Sequence, residues 1–490
     1  MARAQKAQVW KESYKDMYDT SLDRKIDHII QCVDALNNTL FEIIENIRNK
    51  YPAIDPELVQ IIVQGELGRH ITSPACNDCG SRVHKKYDNK RECVTTIGTI
   101  TINCPYYVCP KCKAVHTPYE DALNLRDGKY QYDMQKIAAL FGAKETFEEA
   151  AEMMNEIYRF DICADTVHKL TNQVASEISL AEITPTAEEV AQIVEYISED
   201  NYRRPVLVFS ADGAMVPIRT EEKGQPHCWR EAKGIRGYLL DKDKVVHLLS
   251  WHQISNVNEF REFLAGLRRQ DIIPLDKVRL CFVGDGAKWI WDCVKEYFPE
   301  CRQVLDYYHC SEHLHAFAKI HFPETEKARS WIEQTKVRLF HNNASHVIAG
   351  LNRMKCKTAE AKAERGNLVN YLKTNKVRIE YGRLRRGGYP LGSGAIESAN
   401  KFISNIRLER SGAWWKVDYA NNILKLRCAK YNSKFDSFFD QYEKSVQEKR
   451  VSREQRMRRV KWFHKRRMHP RRNGFSQSLA SVQWRVVQSI

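Results

Sequence analysis

The sequence has no run approaching the roughly 18 consecutive apolar residues that a membrane-spanning helix needs, and no charged-then-apolar leader pattern opens it. Both absences predict a soluble, cytoplasmic chain with no membrane partner. A disulfide framework is missing too: fifteen cysteines make an odd count, and with no export signal they read as reduced thiols plus one metal site. Negative charge is in short supply. Against 77 Lys and Arg stand 62 Asp and Glu, a net charge of +15 with pI near 9.0, which predicts a polyanionic partner. At 490 residues the chain is too long for one core, so several domains are expected.

What is present divides the chain into seven stretches. Residues 1–72 read as helices, with Leu22, Ile26, Ile29, Ile30, Val33 and Leu36 forming an apolar stripe at spacings of three and four, a core face or a dimer seam. Residues 73–118 hold Cys76-Asn-Asp-Cys79 and Cys109-Pro-Lys-Cys112, two CxxC pairs flanking a β-branched segment, Val94–Ile102. Four thiolates close a tetrahedral shell, so this reads as a zinc ribbon with one structural Zn2+. Cys93, Cys104 and His116 are spare ligands or core residues. Residues 119–198 look helical. Thr146 caps one helix and Asp165 is the expected cap of the next, which carries His168, Lys169, Asn172 and Gln173; a helix-turn-helix would turn Lys169 and Asn172 toward DNA.

Residues 199–310 alternate strands and helices in the order of an RNase H-like mixed sheet. Residues 311–388 read as a helical insertion, 389–432 return to the core with a helix bearing Glu397, and 433–490 form a basic tail. In that tail Arg466 and Arg467 belong to a cluster interleaved with Trp462 and Phe463, a composition suited to phosphate contact and stacking.

Three acidic residues carry the chemistry. Asp212 ends the apolar run Val206-Leu-Val-Phe-Ser-Ala, Asp285 ends Leu280-Cys-Phe-Val-Gly, and Glu397 lies in Gly392-Ser-Gly-Ala-Ile-Glu397. Apolar runs ending in Asp-Gly read as buried strands that deliver a carboxylate near the strand end. Two strands and a helix then hold three carboxylates around two hard cations, Mg2+ or Mn2+, the arrangement of a two-metal nuclease. A rival pattern, His309-Cys-Ser-Glu312-His313, spells the HxxEH of some zinc proteases but leaves Asp212, Asp285 and the basic charge without a role.

Asp212-Gly213, Gly284-Asp285-Gly-Ala-Lys-Trp-Ile-Trp, Asp306-Tyr-Tyr-His309, Gly392-Ser-Gly-Ala-Ile-Glu397-Ser, Arg407-Leu-Glu-Arg-Ser-Gly-Ala-Trp414-Trp415 and Leu424-Lys-Leu-Arg427 together resemble bacterial insertion-sequence transposases of the DDE type. Within these the likeness is to the Mutator-like branch, closest to the ISKra group, marked by a DxxH between the second Asp and the Glu. The resemblance implies a multidomain α+β transposase that cleaves and joins double-stranded DNA at element ends and acts as a homodimer or higher oligomer near the nucleoid. It implies that Asp306 and His309 brace the site or move a proton. It also makes Lys401, Arg407 and Arg410 candidates for backbone contact and Trp414 or Trp415 for base stacking. The other reading is a non-catalytic, domesticated relative kept as a zinc-ribbon DNA-binding protein.

Overall fold

In the computed structural model, residues 20–33, 38–71, 75–198, 203–220, 227–241 and 244–448 are described. The chain divides after Asp440 into two units, and every element named below lies in the first. The basic cluster containing Arg466 and Arg467 lies outside the described residues, as does Leu36.

Helices α1 (Thr20–Val33), α2 (Leu40–Lys50) and α3 (Pro56–His70) come first. Thr39 and Glu42 form a capping box on α2, and Asp55 caps α3 just before a proline that suits the first helical turn. Ile26, Ile29 and Val33 bury against α2 and α3, so the stripe is a core face. The same cluster takes in Cys93, Ile100, Ile102 and Cys104 from a hairpin, β1 (His84–Thr95) and β2 (Gly98–Val108). The helical region and the cysteine-rich hairpin therefore share one core, and Cys93 and Cys104 are part of it. The segment expected as a single strand from Val94 is folded in two. Thr95 pairs with Gly98, whose φ of 130° favours glycine, and a Cβ there would stand 2.4 Å from Pro56 Cγ. A short β3 (Val115–His116) completes this antiparallel sheet.

Helices α4 (Tyr132–Lys144), α5 (Phe147–Tyr158) and α6 (Ala164–Ser176) pack through Met134, Ala138, Ala150, Met154, Ile162, Val167 and Leu170. Thr146 caps α5 as expected. The cap position of α6 is Cys163; Asp165 sits inside the first turn, where its charge still meets the positive end of the helix dipole. α7 (Ala187–Ser198) leads to the larger sheet.

That sheet contains β4 (Val206–Ile218), β5 (Cys228–Asp241), β6 (Lys244–Ile254), β7 (Arg279–Gly284) and β8 (Arg302–Leu305) in the order β6-β5-β4-β7-β8. The first three are antiparallel, whereas β7 runs parallel to β4 and β8 parallel to β7. β4 is buried on both faces from Val206 to Ala211, which is why its sequence is continuously apolar rather than alternating. α8 (Val257–Arg269) and α9 (Lys288–Tyr297) make the crossovers. Beyond β8 the chain is helical: α10 (Tyr307–His321), α11 (Thr325–Phe340), α12 (Ala344–Arg353), α13 (Ala359–Thr374) and a short helix at Tyr381–Arg386. It then returns through α14 (Gly394–Asn400), a π-helical turn at Lys401–Asn405, and α15 (Val417–Tyr431). α15 is tied to β6 by Asn421, whose amide pairs with both backbone groups of Ile254. No helix among the described residues is long and apolar enough to cross a membrane.

Candidate active site

The register of the parallel strands brings the acids together. Pairing of β4 with β7 ends at Ala211 opposite Gly284, and pairing of β7 with β8 ends at Gly284 opposite Leu305. The next residues in the chain are Asp212, Asp285 and Asp306, so three carboxyl groups lie at one level, where the parallel pairing ends and where open α/β sheets place their sites. One detail differs from the sequence expectation. Asp212 does not end its strand: β4 continues to Ile218, with Asp212 opposite Gly234 on β5. The antiparallel hairpin thus overshoots the parallel half of the sheet, because β5 offers a partner where β7 has stopped. Asp285 does begin a turn, and its Oδ1 accepts the Ala287 N–H at 2.8 Å just before α9.

Glu397 arrives on α14, which is docked on the sheet by polar ties. Arg236 of β5 donates to the Ala395 carbonyl at 2.6 Å, and Ser393 Oγ donates to Glu397 Oε1 at 2.7 Å. Asp306 is fully buried: one oxygen accepts the His309 N–H at 2.7 Å and caps α10, while the other accepts the Ser393 N–H. Asp306 thereby joins α10 to the start of α14. His309 is partly exposed, with Nδ1 3.2 Å from Glu312.

Two contributors escape sequence reasoning. Asn400, three residues beyond Glu397 and so on the same helix face, donates to Asp212 Oδ2 at 2.8 Å. That spacing was the available signal. Tyr371 comes from the helical block. Its ring lies on Gly286, where a Cβ would meet Cε2 at 2.5 Å, and 3.9 Å from the His313 ring. No pattern in the sequence pairs α13 with the Asp285 turn.

Asp212 has its carboxyl pushed up to about 6, first by burial and further by the charges of Asp285 and Glu397; the Gly213 N–H and His309 pull the other way. The three acids are therefore electrostatic neighbours that repel one another. A cation relieves such a cluster, and the donors are hard oxygens of the kind magnesium or manganese takes. Among the described residues the three do not bring their oxygens within 4.8 Å of one another, so they form an open arrangement rather than a closed cage.

The four expected cysteines do close up. Sγ atoms of Cys76, Cys79, Cys109 and Cys112 all lie within 4.8 Å of one another, with contacts of 3.4 Å for Cys76–Cys112, 3.5 Å for Cys79–Cys109 and 3.7 Å for Cys79–Cys112. Zn–S bonds of about 2.3 Å in a tetrahedron separate sulfurs by about 3.8 Å, so the donor set fits zinc. His309, Glu312 and His313 form no comparable group among the described residues.

The residues expected at DNA fall into two sets. Lys169 and Lys401 are exposed, and Trp414 is 40 % exposed, its ring tilted against His227 at 4.4 Å beside exposed Trp229. The others face inward. Arg407 is buried between Phe147 and Trp415 and donates to the Gly142 carbonyl at 3.2 Å. Trp415 is buried with Nε1 on the Leu408 carbonyl, and Arg410 is engaged by Glu145 and Glu149. Asn172 bonds Asn422 of α15. Arg427 donates to the carbonyls of Ile403 and Ala143. Arg407 and Arg427 thus satisfy the last carbonyls of α4, a favourable place for a cation, and clamp the Glu397 segment to the helical domain.

A family model matches residues 42–436. The chain belongs to the uncharacterised protein family UPF0236. No curated protein matches it. Among solved structures, the Drosophila P element transposase strand transfer complex is similar at 10 % identity and a TM-score of 0.23, over 66 % of this chain and 82 % of that one. The Mos1 transposase paired-end complex with left transposon end gives 11 % identity and 0.14, over 74 % and 97 %. A pre-cleavage Mos1 transpososome gives 11 % and 0.14, over 74 % and 99 %. Scores this low carry no argument about this member of UPF0236, and the site stands on its own geometry.

Proposed function

We propose that the chain is a DDE-type DNA transposase with an RNase H-like core, of the Mutator-like branch its motifs resemble. The observation that carries this reading is the shared register that sets Asp212, Asp285 and Asp306 at one level, just past the paired ends of the parallel strands, with Glu397 close enough to act on the Asp212 charge. Asp212, Asp285 and Glu397 would hold two Mg2+ or Mn2+ ions. When bound, such a pair clamps the attacking and leaving oxygens of an in-line phosphoryl transfer. The chain's own residues set the stage for that chemistry. Gly213 and Asn400 fix the two oxygens of Asp212, Ser393 fixes one oxygen of Glu397, and Asp306 fixes the helix that bears it. His309, partly exposed and near enough to act on the Asp212 charge, would hand a proton to or from the nucleophile or leaving oxygen.

The partner in this reading is double-stranded DNA, at element ends and target, engaged by a homodimer or larger assembly near the nucleoid. The +15 charge suits it. Lys169, Lys401 and Trp414 are the described candidates for contact, together with the tail residues Arg466 and Arg467. The cysteine cluster holds one structural zinc, since a full thiolate shell leaves no open position. Incubating the purified protein and magnesium with the DNA that flanks its own gene, then mapping nicks at nucleotide resolution, tests the reading. Discrete nicks at element ends support it, and intact DNA with well-folded, metal-supplied protein overturns it.

A further inference from the structure

The row of residues that crosses the sheet at the level of Asp212 continues on its other side. Asp212 pairs with Gly234 on β5, and Gly234 pairs with His252 on β6, so all three share one face. Glycine leaves a gap in that row, and two side chains lean into it. A Cβ on Gly234 would stand 2.6 Å from His252 Cε1, 2.7 Å from His252 Nδ1 and 3.1 Å from Asn400 Oδ1. His252 is fully buried and Asn400 is 6 % exposed. Neither His252 nitrogen nor Asn400 Oδ1 has a hydrogen-bond partner among the described residues, yet the other end of Asn400 is spoken for by Asp212. Buried polar groups are normally paired with protein or ordered water, so three unpaired atoms around one gap call for an explanation.

An asparagine amide can present either oxygen or nitrogen, and its neighbours decide which. Asp212 selects the NH2 end. A ring N–H turned toward Oδ1 across the Gly234 gap would select the same orientation from behind, although the two groups stand beyond direct hydrogen-bond reach of each other. We infer that His252, acting across Gly234 on Asn400, is a positioning residue that holds the Asp212 carboxylate in its metal-binding orientation. His252 does this as a neutral imidazole, since burial and the charge of Arg236 push its pKa down to about 3. Gly234 is required because any side chain there would part the two groups. The inference rests on the proposed metal site at Asp212.

Its test sets shape against polarity. H252F keeps a ring and loses the donor; H252N loses the ring but keeps a donor where Nδ1 stood. Two readings are taken on the full chain: Mn2+ binding without DNA, from the free-ion electron paramagnetic resonance signal, and nicking of flanking DNA. Outer groups that orient metal ligands are worth about 10- to 100-fold in affinity or activity, so H252F is expected to lose that much while H252N stays within about threefold of wild type. A residue that only fills space gives the reverse order, and that order overturns the inference, as does equal binding by all three. Should H252F fail to fold, H252Q replaces it, because its donor falls at the Nε2 position, and H252N must then outperform it. Wild-type protein that neither binds Mn2+ nor nicks DNA refutes the metal site itself, and the inference with it; active wild type with an unaffected H252F refutes only the role of His252.

Discussion

Replacing Asp212 by asparagine is expected to inactivate the protein and stabilise it in the same step. The Asp212 carboxyl sits at about 6 in the folded chain, against about 3.9 for an unfolded one. A raised folded value means that the folded state holds the proton more tightly, so ionised Asp212 opposes folding above pH 6. That opposition fades as the pH falls toward 4, below which the group is protonated in both states. Two pK units at about 1.4 kcal/mol each set a ceiling of about 3 kcal/mol at neutral pH. Asn400 must turn its amide to meet a neutral partner, which lowers the expected gain to about 1–2 kcal/mol. For a unit of this size each kcal/mol moves the melting temperature by about 1 °C. D212N should therefore melt about 1–2 °C above wild type in magnesium-free buffer at neutral pH and show no advantage near pH 4. Magnesium reverses the order, because ligand that binds only the folded wild type adds RT ln(1 + [L]/Kd) and the mutant lacks the site. Scanning fluorimetry across this pH range, with and without magnesium, reads all of it. A D212N protein that is less stable at neutral pH, or one whose difference from wild type ignores pH, refutes the electrostatic account.

D285N and E397Q should each abolish nicking while leaving DNA affinity within about twofold, since each removes one charged oxygen from the shared metal pair; near-normal nicking by either removes that residue from the site. The protein should contain one zinc per chain, and serine at Cys76, Cys79, Cys109 or Cys112 should release it and destabilise the N-terminal helices as well, as elemental analysis and proteolysis would show. Deleting residues 449–490 should weaken binding to specific and scrambled duplexes alike and flatten the slope of log affinity against log salt, and an unchanged slope would leave the tail without a role in DNA binding. R427M should loosen the Glu397 segment by leaving the Ile403 and Ala143 carbonyls unsatisfied, at a cost of about 1–3 kcal/mol read from thermal melting.

The acids were legible in the sequence because each is announced locally: an apolar run, then Asp-Gly, or a glycine-rich approach to a helix. The succession of three strands, a helix, a strand, a helix and a strand along the chain was read from the same runs. What was hidden depends on pairing across strands. Nothing within β5 or β6 says that Gly234 and His252 share a row with Asp212, and one residue of slip would send them to opposite faces. Arg407, Arg410 and Trp415 resemble a nucleic-acid surface in composition, but their partners are the Gly142 carbonyl, the carboxylates of Glu145 and Glu149, and the Leu408 carbonyl, and composition does not name a partner. The division at Thr96–Ile97 was missed for a similar reason: β-branched residues favour strand on both sides of a turn that Gly98 makes possible.

The long helical block between β8 and α14 has a temporal meaning. During synthesis the chain emerges from its N-terminus at about 5–20 residues per second, and Asp212, Asp285 and Asp306 are all made before the block. Glu397, and Asn400 which steadies Asp212, come only after it, on a helix that can dock only when Arg236 and Asp306 are already in place. Under the proposed reading, the nascent protein is thus a nuclease without a trigger. Any product that stops short of Glu397 retains the cysteine-rich hairpin and the sheet but lacks the third carboxylate, and under the proposed reading such a product could occupy DNA without cutting it.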